Sequence, residues 1–265
     1  MNSTENTDIK IDLDNIQPKD LLDAGIHFGH EKTKWNPKMK SYIHSSRKGV
    51  HVINIFKTLE VLKEVSKFVK NLSANGGTVF MLGTKKQSQQ TIKAAAIESN
   101  SHYVISRWLG GTLTNHQTIL SRIKYLASLE NEQKNTDSSS LTKKELTLIS
   151  KKINKLNKFL EGMKNYKKLP DCLFVVDVKK EKIAINEANI LKIPVIGLVD
   201  SDSDPSGIDY VIPGNDDSIK SIKLISSVIS NSISEGKQLF AKKNKRPNSP
   251  AKPREKESTK STEQK

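Results

Sequence analysis

Cysteine is almost absent from this sequence. The 265 residues include one cysteine, Cys172, which excludes an internal disulfide framework and a cysteine-rich zinc module. Aromatic residues make up only 5% of the chain, and no apolar run approaches the ~18 residues that a membrane-spanning helix needs. The first residues lack a basic start followed by an apolar stretch and are too acidic for an organelle transit peptide. These absences predict a soluble, cytoplasmic protein.

Positive charge exceeds negative charge, and the excess is unevenly placed. Lysine and arginine total 44 against 29 aspartate and glutamate, a formal net charge of +15. Residues 31–70 hold ten bases against three acids, and residues 113–169 hold twelve against five. Residues 241–265 hold nine against three, whereas residues 1–23 hold six acids against two bases. Concentrated positive charge of this kind favours a polyanion as partner.

Short apolar runs separated by helical patterns organise the centre of the chain. The runs cover residues 52–55, 78–82, 103–105, 172–176, 195–199 and 210–212. Apolar positions at helical spacing occur at 56–72, 87–99, 182–191 and 217–237. Runs without polar alternation are typical of parallel strands that are buried on both faces. The predicted fold class is α/β, with a doubly wound parallel sheet.

The segment between residues 115 and 163 interrupts this alternation, because it contains two helical stretches and no strand pattern. The second stretch opens with Thr142 and Glu145 at the spacing of a capping box. Its apolar positions recur at steps of three and four, which is typical of a coiled-coil seam: Leu146, Ile149, Ile153, Leu156, Leu160 and Met163. We therefore predict an inserted antiparallel helical hairpin.

Four parts of the chain follow from these patterns. Residues 1–17 are an acidic amino-terminal tail, and residues 18–112 and 170–240 form the parallel-sheet domain. Residues 113–169 are the inserted hairpin. Residues 241–265 have no large apolar side chain and are predicted to be a disordered basic tail, because such a segment cannot bury enough surface to offset its ordering entropy.

The sequence contains no complete catalytic or nucleotide-binding motif. No G-x-G-x-x-G follows the first parallel strand, and residues 77–85 depart from a P-loop because five residues separate the two glycines. No nucleophile elbow is present. We therefore predict that the protein is not an enzyme and has no cofactor. A nucleotide-binding enzyme or regulator on a Rossmann-like fold is the alternative.

Two groups of residues have the spacing of metal ligands but lack complete sites. Asp200, Asp202 and Asp204 are spaced like the start of an EF-hand loop, but a proline occupies the glycine position. His27 and His30 lie near Asp23 without a further soft ligand. Structural histidines and a polar turn are the simpler interpretation, and no metal is predicted.

The positive signal is a set of cations interleaved with aromatic side chains. Lysine and arginine contact phosphates, while tryptophan and tyrosine can stack on unpaired bases. For each tryptophan taken alone, a partly buried packing role is the favoured interpretation, whereas RNA contact is favoured for the lysines and arginines around them. A glycine loop beside a helix start and the basic hairpin add further phosphate contacts. The predicted RNA-binding residues are Lys32, Lys34, Trp35, Asn36, Lys38, Lys40, Arg47, Lys48, Lys85, Lys86, Arg107, Trp108, Asn115, Arg122, Lys124, Lys151, Lys152 and Lys155.

Several of these motifs resemble the small-subunit ribosomal protein 2 family of bacterial or organellar type. The matching segments are LLDAGIHFGHEKTKWNPKM (21–39), GTKKQS (83–88), RWLGGTLTN (107–115), the long segment at 169–205, and IPGNDD (212–217). The resemblance runs from about residue 20 to residue 237. Both charged tails lie outside it.

The resemblance implies a structural component of the small ribosomal subunit, with a flavodoxin-like sheet and an inserted helical hairpin. It further implies contacts with small-subunit rRNA and neighbouring ribosomal proteins, possibly including small-subunit ribosomal protein 1, and no small-molecule substrate. The residues from Lys32 to Lys38 would belong to an rRNA-facing region. Arg107, Trp108, Gly110, Gly111 and Asn115 would form the junction where the hairpin leaves the sheet.

Overall fold

The computed structural model describes residues 16–135 and 143–244. The chain begins with helix α1 (Pro18–Asp23) and strand β1 (Phe28–Glu31), followed by a first 3-10 helix (Pro37–Tyr42). Strands β2 (Ile43–Arg47) and β3 (Val50–Ile53) complete a three-stranded antiparallel sheet in the order β1-β3-β2. No pattern in the sequence predicted this small sheet.

The apolar run predicted at 52–55 divides between β3 and helix α2 (Ile55–Ala74). Asn54 separates the two elements, because its side-chain oxygen accepts a hydrogen bond from the Phe56 N–H at 3.0 Å. An asparagine in this position satisfies a backbone donor that the helix itself leaves unpaired.

Five parallel strands form the main sheet and confirm the predicted α/β class. They are β4 (Val79–Leu82), β5 (His102–Val104), β6 (Cys172–Val176), β7 (Val195–Val199) and β8 (Tyr210–Pro213). Their order across the sheet is β5-β4-β6-β7-β8, and every neighbouring pair is parallel. Counted within this sheet alone, the order is 2-1-3-4-5. The predicted runs at 172–176 and 195–199 coincide with β6 and β7.

Helices cover both faces of the main sheet, as the uninterrupted apolar strands predicted. Alternate strand residues enter two different cores: Val79 and Met81 lie in one, Phe80 and Leu82 in the other. The first core includes α2, α3 (Lys86–Glu98) and α7 (Ile219–Asn244), and the second includes α6 (Lys182–Ile190).

Two consecutive helices, α4 (His116–Asn135) and α5 (Lys143–Leu160), lie between β5 and β6 in the sequence. They contact each other: the Gln133 amide donates to the Ser150 hydroxyl at 3.0 Å, and the Asn157 amide donates to Glu130 at 3.2 Å. Ile153 is buried, and Ile149 and Leu156 are partly buried in the second core. Thr142, half of the predicted capping box, lies outside the described residues.

The predicted tails lie largely outside the described residues. Helix α7 ends at Asn244, so it includes the first four residues of the predicted tail, 241–244. Phe240 explains part of this extension, because its ring packs against Gly76 at the end of α2. Across residues 16–135 and 143–244, no helix combines the length and the hydropathy that crossing a membrane would require.

Candidate nucleic-acid interface

The amino-terminal basic stretch forms an exposed surface around the first 3-10 helix. Asn36 caps this helix, since its side-chain oxygen accepts the Lys38 N–H at 3.0 Å, and the fully buried Met39 anchors it. Trp35 is partly exposed, with its ring centroid 5.2 Å from that of His51. The cations predicted in this region are exposed: Lys32, Lys34, Lys38, Lys40, Arg47 and Lys48.

Lys38 is tied to the loop that follows β7. Its ammonium lies 3.0 Å from an Asp204 carboxylate oxygen and donates to the Ser206 hydroxyl at 2.7 Å. The Ser206 backbone N–H and then the Lys38 ammonium lower the pKa of Asp204 to about 2. The positive stretch and this loop are therefore held against each other, although both side chains remain open to solvent.

The loop at residues 107–115 is organised by Glu187, a buried residue of α6. Its carboxylate accepts the Trp108 indole N–H at 3.0 Å and the backbone N–H groups of Gly111 and Leu113 at 2.8 and 3.0 Å. It also accepts the Thr114 N–H at 3.2 Å. Burial would raise the pKa of Glu187, but these hydrogen bonds outweigh it and lower the pKa. Nothing in the sequence pattern of α6 identified this residue.

Trp108 is only 5% exposed, and its ring packs edge-on against Phe80 with centroids 5.8 Å apart. Both the ring and the N–H of Trp108 are therefore engaged inside the protein, which is the packing role favoured for each tryptophan taken alone. Arg107 and Asn115 at either end of the loop are exposed. Gly111 has a φ of +86°, and a Cβ there would approach Asn115 Cβ to 3.0 Å, so the close turn requires glycine.

The predicted cations of α4 and α5 lie away from the apolar contact between the two helices. Ile119, Ile123 and Leu126 of α4 are buried, as is Ile153 of α5. The exposed cations are Arg122, Lys124, Lys151, Lys152 and Lys155. The sequence of α5 contains six lysines and one glutamate, so this helix carries a concentrated positive charge.

Lys85 lies among three carboxylates at the carboxyl edge of the main sheet. Its ammonium lies 2.7 Å from Asp216 and 2.6 Å from Asp217, with Asp177 at 3.9 Å. Burial alone would lower the pKa of Lys85, but the hydrogen bonds from its ammonium to the two carboxylates raise it. The Lys85 ammonium is therefore paired with carboxylates of the same chain, and its contact with a phosphate stays a prediction, while the neighbouring Lys86 is exposed.

His30 contacts the acidic loop after β7. The spacing of residues within 23–30 and within 200–204 did not suggest this contact. Its Nδ1 lies 3.0 Å from Asp200 and 3.9 Å from Asp202, and its Nε2 lies 3.3 Å from Asp217. The hydrogen bond to Asp200 raises the pKa of His30 to about 9, against the opposing effect of burial. The ligand atoms of His30, Asp200 and Asp202 lie within 4.8 Å of one another, a set of nitrogen and oxygen donors that a divalent metal could use.

A sequence model described as ribosomal protein S2 matches residues 21–236. The chain belongs to the ribosomal protein S2 family. This confirms the resemblance, and membership implies a structural role in the small ribosomal subunit and association with the ribosome. Families of ribosomal proteins are in general not enzymatic.

The S2 match includes every element that carries the predicted cations. It starts inside α1 at Leu21 and ends in α7, so the first 3-10 helix, the loop organised by Glu187 and helices α4 and α5 all belong to the shared region. The acidic residues before Ile16 and the basic residues after Asn244 lie outside it. The family assignment therefore rests on residues 21–236.

Proposed function

We propose that this S2 family member binds small-subunit rRNA through two exposed basic surfaces. One surrounds the first 3-10 helix with Lys32, Lys34, Lys38 and Lys40, and the other is the exposed side of α4 and α5. The charge of α5, six lysines against one glutamate, carries the proposal. A helix with this composition, whose apolar side is already packed, is suited to a polyanion.

The rest of the fold would hold these surfaces in place. We propose a flavodoxin-like domain, supported by the strand order 2-1-3-4-5, into which α4 and α5 are inserted as one antiparallel hairpin. The contacts of Gln133 with Ser150 and of Glu130 with Asn157 support that orientation. Residues 113–169 would then project as a unit, and the loop held by Glu187 would be its base.

The contacts would be made mainly to phosphates. Lysine presents a point charge without the planar fork of arginine, and the cations concerned are mostly lysines. Binding should therefore depend strongly on salt, and the shape of the folded RNA should matter more than its base sequence. Neighbouring small-subunit proteins, small-subunit ribosomal protein 1 among them, are further partners that the family implies.

The test is the salt dependence of rRNA binding by the full chain. Replacing Lys151, Lys152 and Lys155 by glutamine should flatten the plot of log K against log salt by roughly 0.7–0.9 for each phosphate that the variant no longer neutralises. The matched control replaces the exposed Lys63, Lys67 and Lys223 of α2 and α7, which removes the same charge elsewhere. If both variants change the slope equally, general charge and not the α4–α5 surface is responsible.

The alternative function is nucleotide binding at the carboxyl edge of the sheet, where open α/β folds hold their ligands. The loops after β4 and β6 meet there, but their own side chains occupy the junction. The Thr84 hydroxyl donates to Glu181, and the Lys180 ammonium donates to the Thr84 carbonyl at 3.2 Å. Direct titration with ATP, GTP and NAD tests this alternative, and saturable binding of any of them would favour it over a purely structural role.

A further inference from the structure

Helix α6 has apolar side chains on two opposite sides. Ala184, Ile185 and Ala188 are buried in the second core. Ile183 and Ile190 lie on the other side of the helix, where they are 60% and 71% exposed. A helix that is apolar all round is normally buried all round. The exposed side of α6 therefore has the composition of an interface.

Three exposed residues form a strip along this side of α6. Ile183, Asn186 and Ile190 follow one another at steps of three and four, which places them on one face of the helix. The two isoleucines are about 10 Å apart along the helix axis. The same spacing is typical of a helix that packs against a second helix. We call these three residues the α6 strip.

Positive charge flanks the α6 strip at both ends. Lys182 precedes it, Lys192 follows it directly after the helix, and both side chains are exposed. The two nearby glutamates, Glu181 and Glu187, are buried, and their carboxylates accept hydrogen bonds inside the protein. No exposed side chain between residues 182 and 192 is acidic. The surface around the α6 strip is thus apolar in the middle and cationic at its ends.

This chemistry selects among the possible partners. Isoleucine has no ring to stack on a base and no donor for a phosphate, so RNA would gain nothing from the apolar strip. A second copy of this chain, paired through α6 about a two-fold axis, would bring lysine near lysine at both ends, and like charges repel. An acidic amphipathic helix meets both conditions, because its apolar side covers the isoleucines and its carboxylates approach the lysines.

We propose that the α6 strip is the docking site for a short, acidic, amphipathic helix of a partner protein. The apolar side chains of that helix pack on Ile183 and Ile190, and its carboxylates pair with Lys182 and Lys192. This goes beyond the proposed function, because it assigns protein binding to a surface that shares no residue with the two proposed rRNA surfaces.

The experiment identifies what lies against α6 in small ribosomal subunits that contain the full chain. A photoreactive phenylalanine analogue replaces Ile190, and in a matched control it replaces Ile97, which is 61% exposed on α3. The subunits are purified and irradiated, and mass spectrometry of the digested material identifies each cross-linked segment. We expect position 190 to capture a segment of another protein with apolar residues at steps of three and four and more acidic than basic residues. Position 97 should not capture that segment.

A second variant tests the contribution of charge. With Lys182 and Lys192 replaced by glutamate, the cross-link from position 190 should fall several-fold. The same replacement at the exposed Lys63 and Lys67 of α2 should leave it unchanged.

The proposal is wrong if position 190 cross-links to rRNA, to its own chain or to a second copy, or if it captures nothing. It is also wrong if the captured segment is not acidic. None of these outcomes depends on which surface binds rRNA, so they leave the proposed function to its own test.

Discussion

The indole N–H of Trp108 and the carboxylate of Glu187 are joined by a buried hydrogen bond of 3.0 Å across 79 positions of sequence. The same carboxylate holds the backbone of Gly111, Leu113 and Thr114. One charged side chain thus satisfies several donors of a loop that has no regular secondary structure to satisfy them.

Replacing Glu187 by alanine should therefore destabilise the protein by about 3 kcal/mol, because it leaves buried donors unpaired. Urea unfolding at pH 7 measures this, with Glu60→Ala on the exposed side of α2 as the control that should change little. The pKa of Glu187 is lowered below its ordinary value of 4.5, so its contribution is present above pH 4.5 and is lost as the pH falls through the lowered value. An equal effect of both variants would contradict the central role of Glu187.

Replacing Lys85 by methionine should destabilise the protein in a pH-dependent way. Burial raises the pKa of Asp216 to about 7, and the Lys85 ammonium opposes this rise. Without the cation, Asp216 must either ionise unpaired or stay protonated, so its pKa rises further. We expect a loss of about 3 kcal/mol at pH 8 and a smaller one at pH 5, where Asp216 is protonated in both proteins. Urea unfolding at the two pH values measures the difference.

The control for Lys85 is its exposed neighbour, through Lys86→Met, which should have little effect at either pH. A loss for Lys85→Met that is the same at pH 5 and pH 8 would mean that side-chain packing, and not the charge on Asp216, determines its contribution.

Replacing Gly162 by alanine should weaken the junction between α5 and the sheet. A Cβ at this position would collide with the backbone oxygen of Tyr103 in β5, so the strand or the second 3-10 helix (Glu161–Met163) would have to move. The cost should be about 1–3 kcal/mol of unfolding free energy, measured by thermal or urea unfolding. Gly110→Ala is the matched control, since nothing lies within 4 Å of its Cβ position.

The thiol of Cys172 should be unreactive in the folded protein. It is fully buried at the start of β6, and burial raises its pKa above the ordinary value, so little thiolate is present. Ellman's reagent at pH 8 should give no colour with the native chain and full reaction in urea. A Ser41→Cys variant, altered at an exposed position, should react at once. Rapid reaction of the unaltered protein would show that the sheet opens readily.

The sequence could predict the parallel sheet because its central strands are continuous apolar runs. Every residue of β6 and β7 is buried, and such segments have few alternatives to a sheet interior. Strand β2 carries no such signal, since four of its five residues are exposed. It exists because β3 pairs with it, and β3 itself is stabilised on one face by Trp35 and the core. Tertiary contacts of this kind are not visible in a local pattern.

The candidate interface was predictable only in part, for the same physical reason. Solvent exposure of Lys151 and Lys155 follows from their place off the apolar seam of α5. The burial of Trp108 depends on Glu187, and the neutralisation of Lys85 depends on Asp216, both distant in sequence. His30 lies in β1 of the small sheet, and it contacts Asp200 in the loop after β7 of the main sheet. Spacing within one segment could suggest none of these partners.

The pairing of β4 with β6 has a consequence for the order in which the protein folds. Val79 lies beside Cys172, so the middle of the main sheet cannot close until the whole of residues 80–171 has been synthesised. Bringing such distant positions together costs roughly 4 kcal/mol of chain entropy. The neighbouring contacts of α4 with α5 are local and form sooner. We therefore expect α4 and α5 to be structured while β4 is still without its partner strand β6.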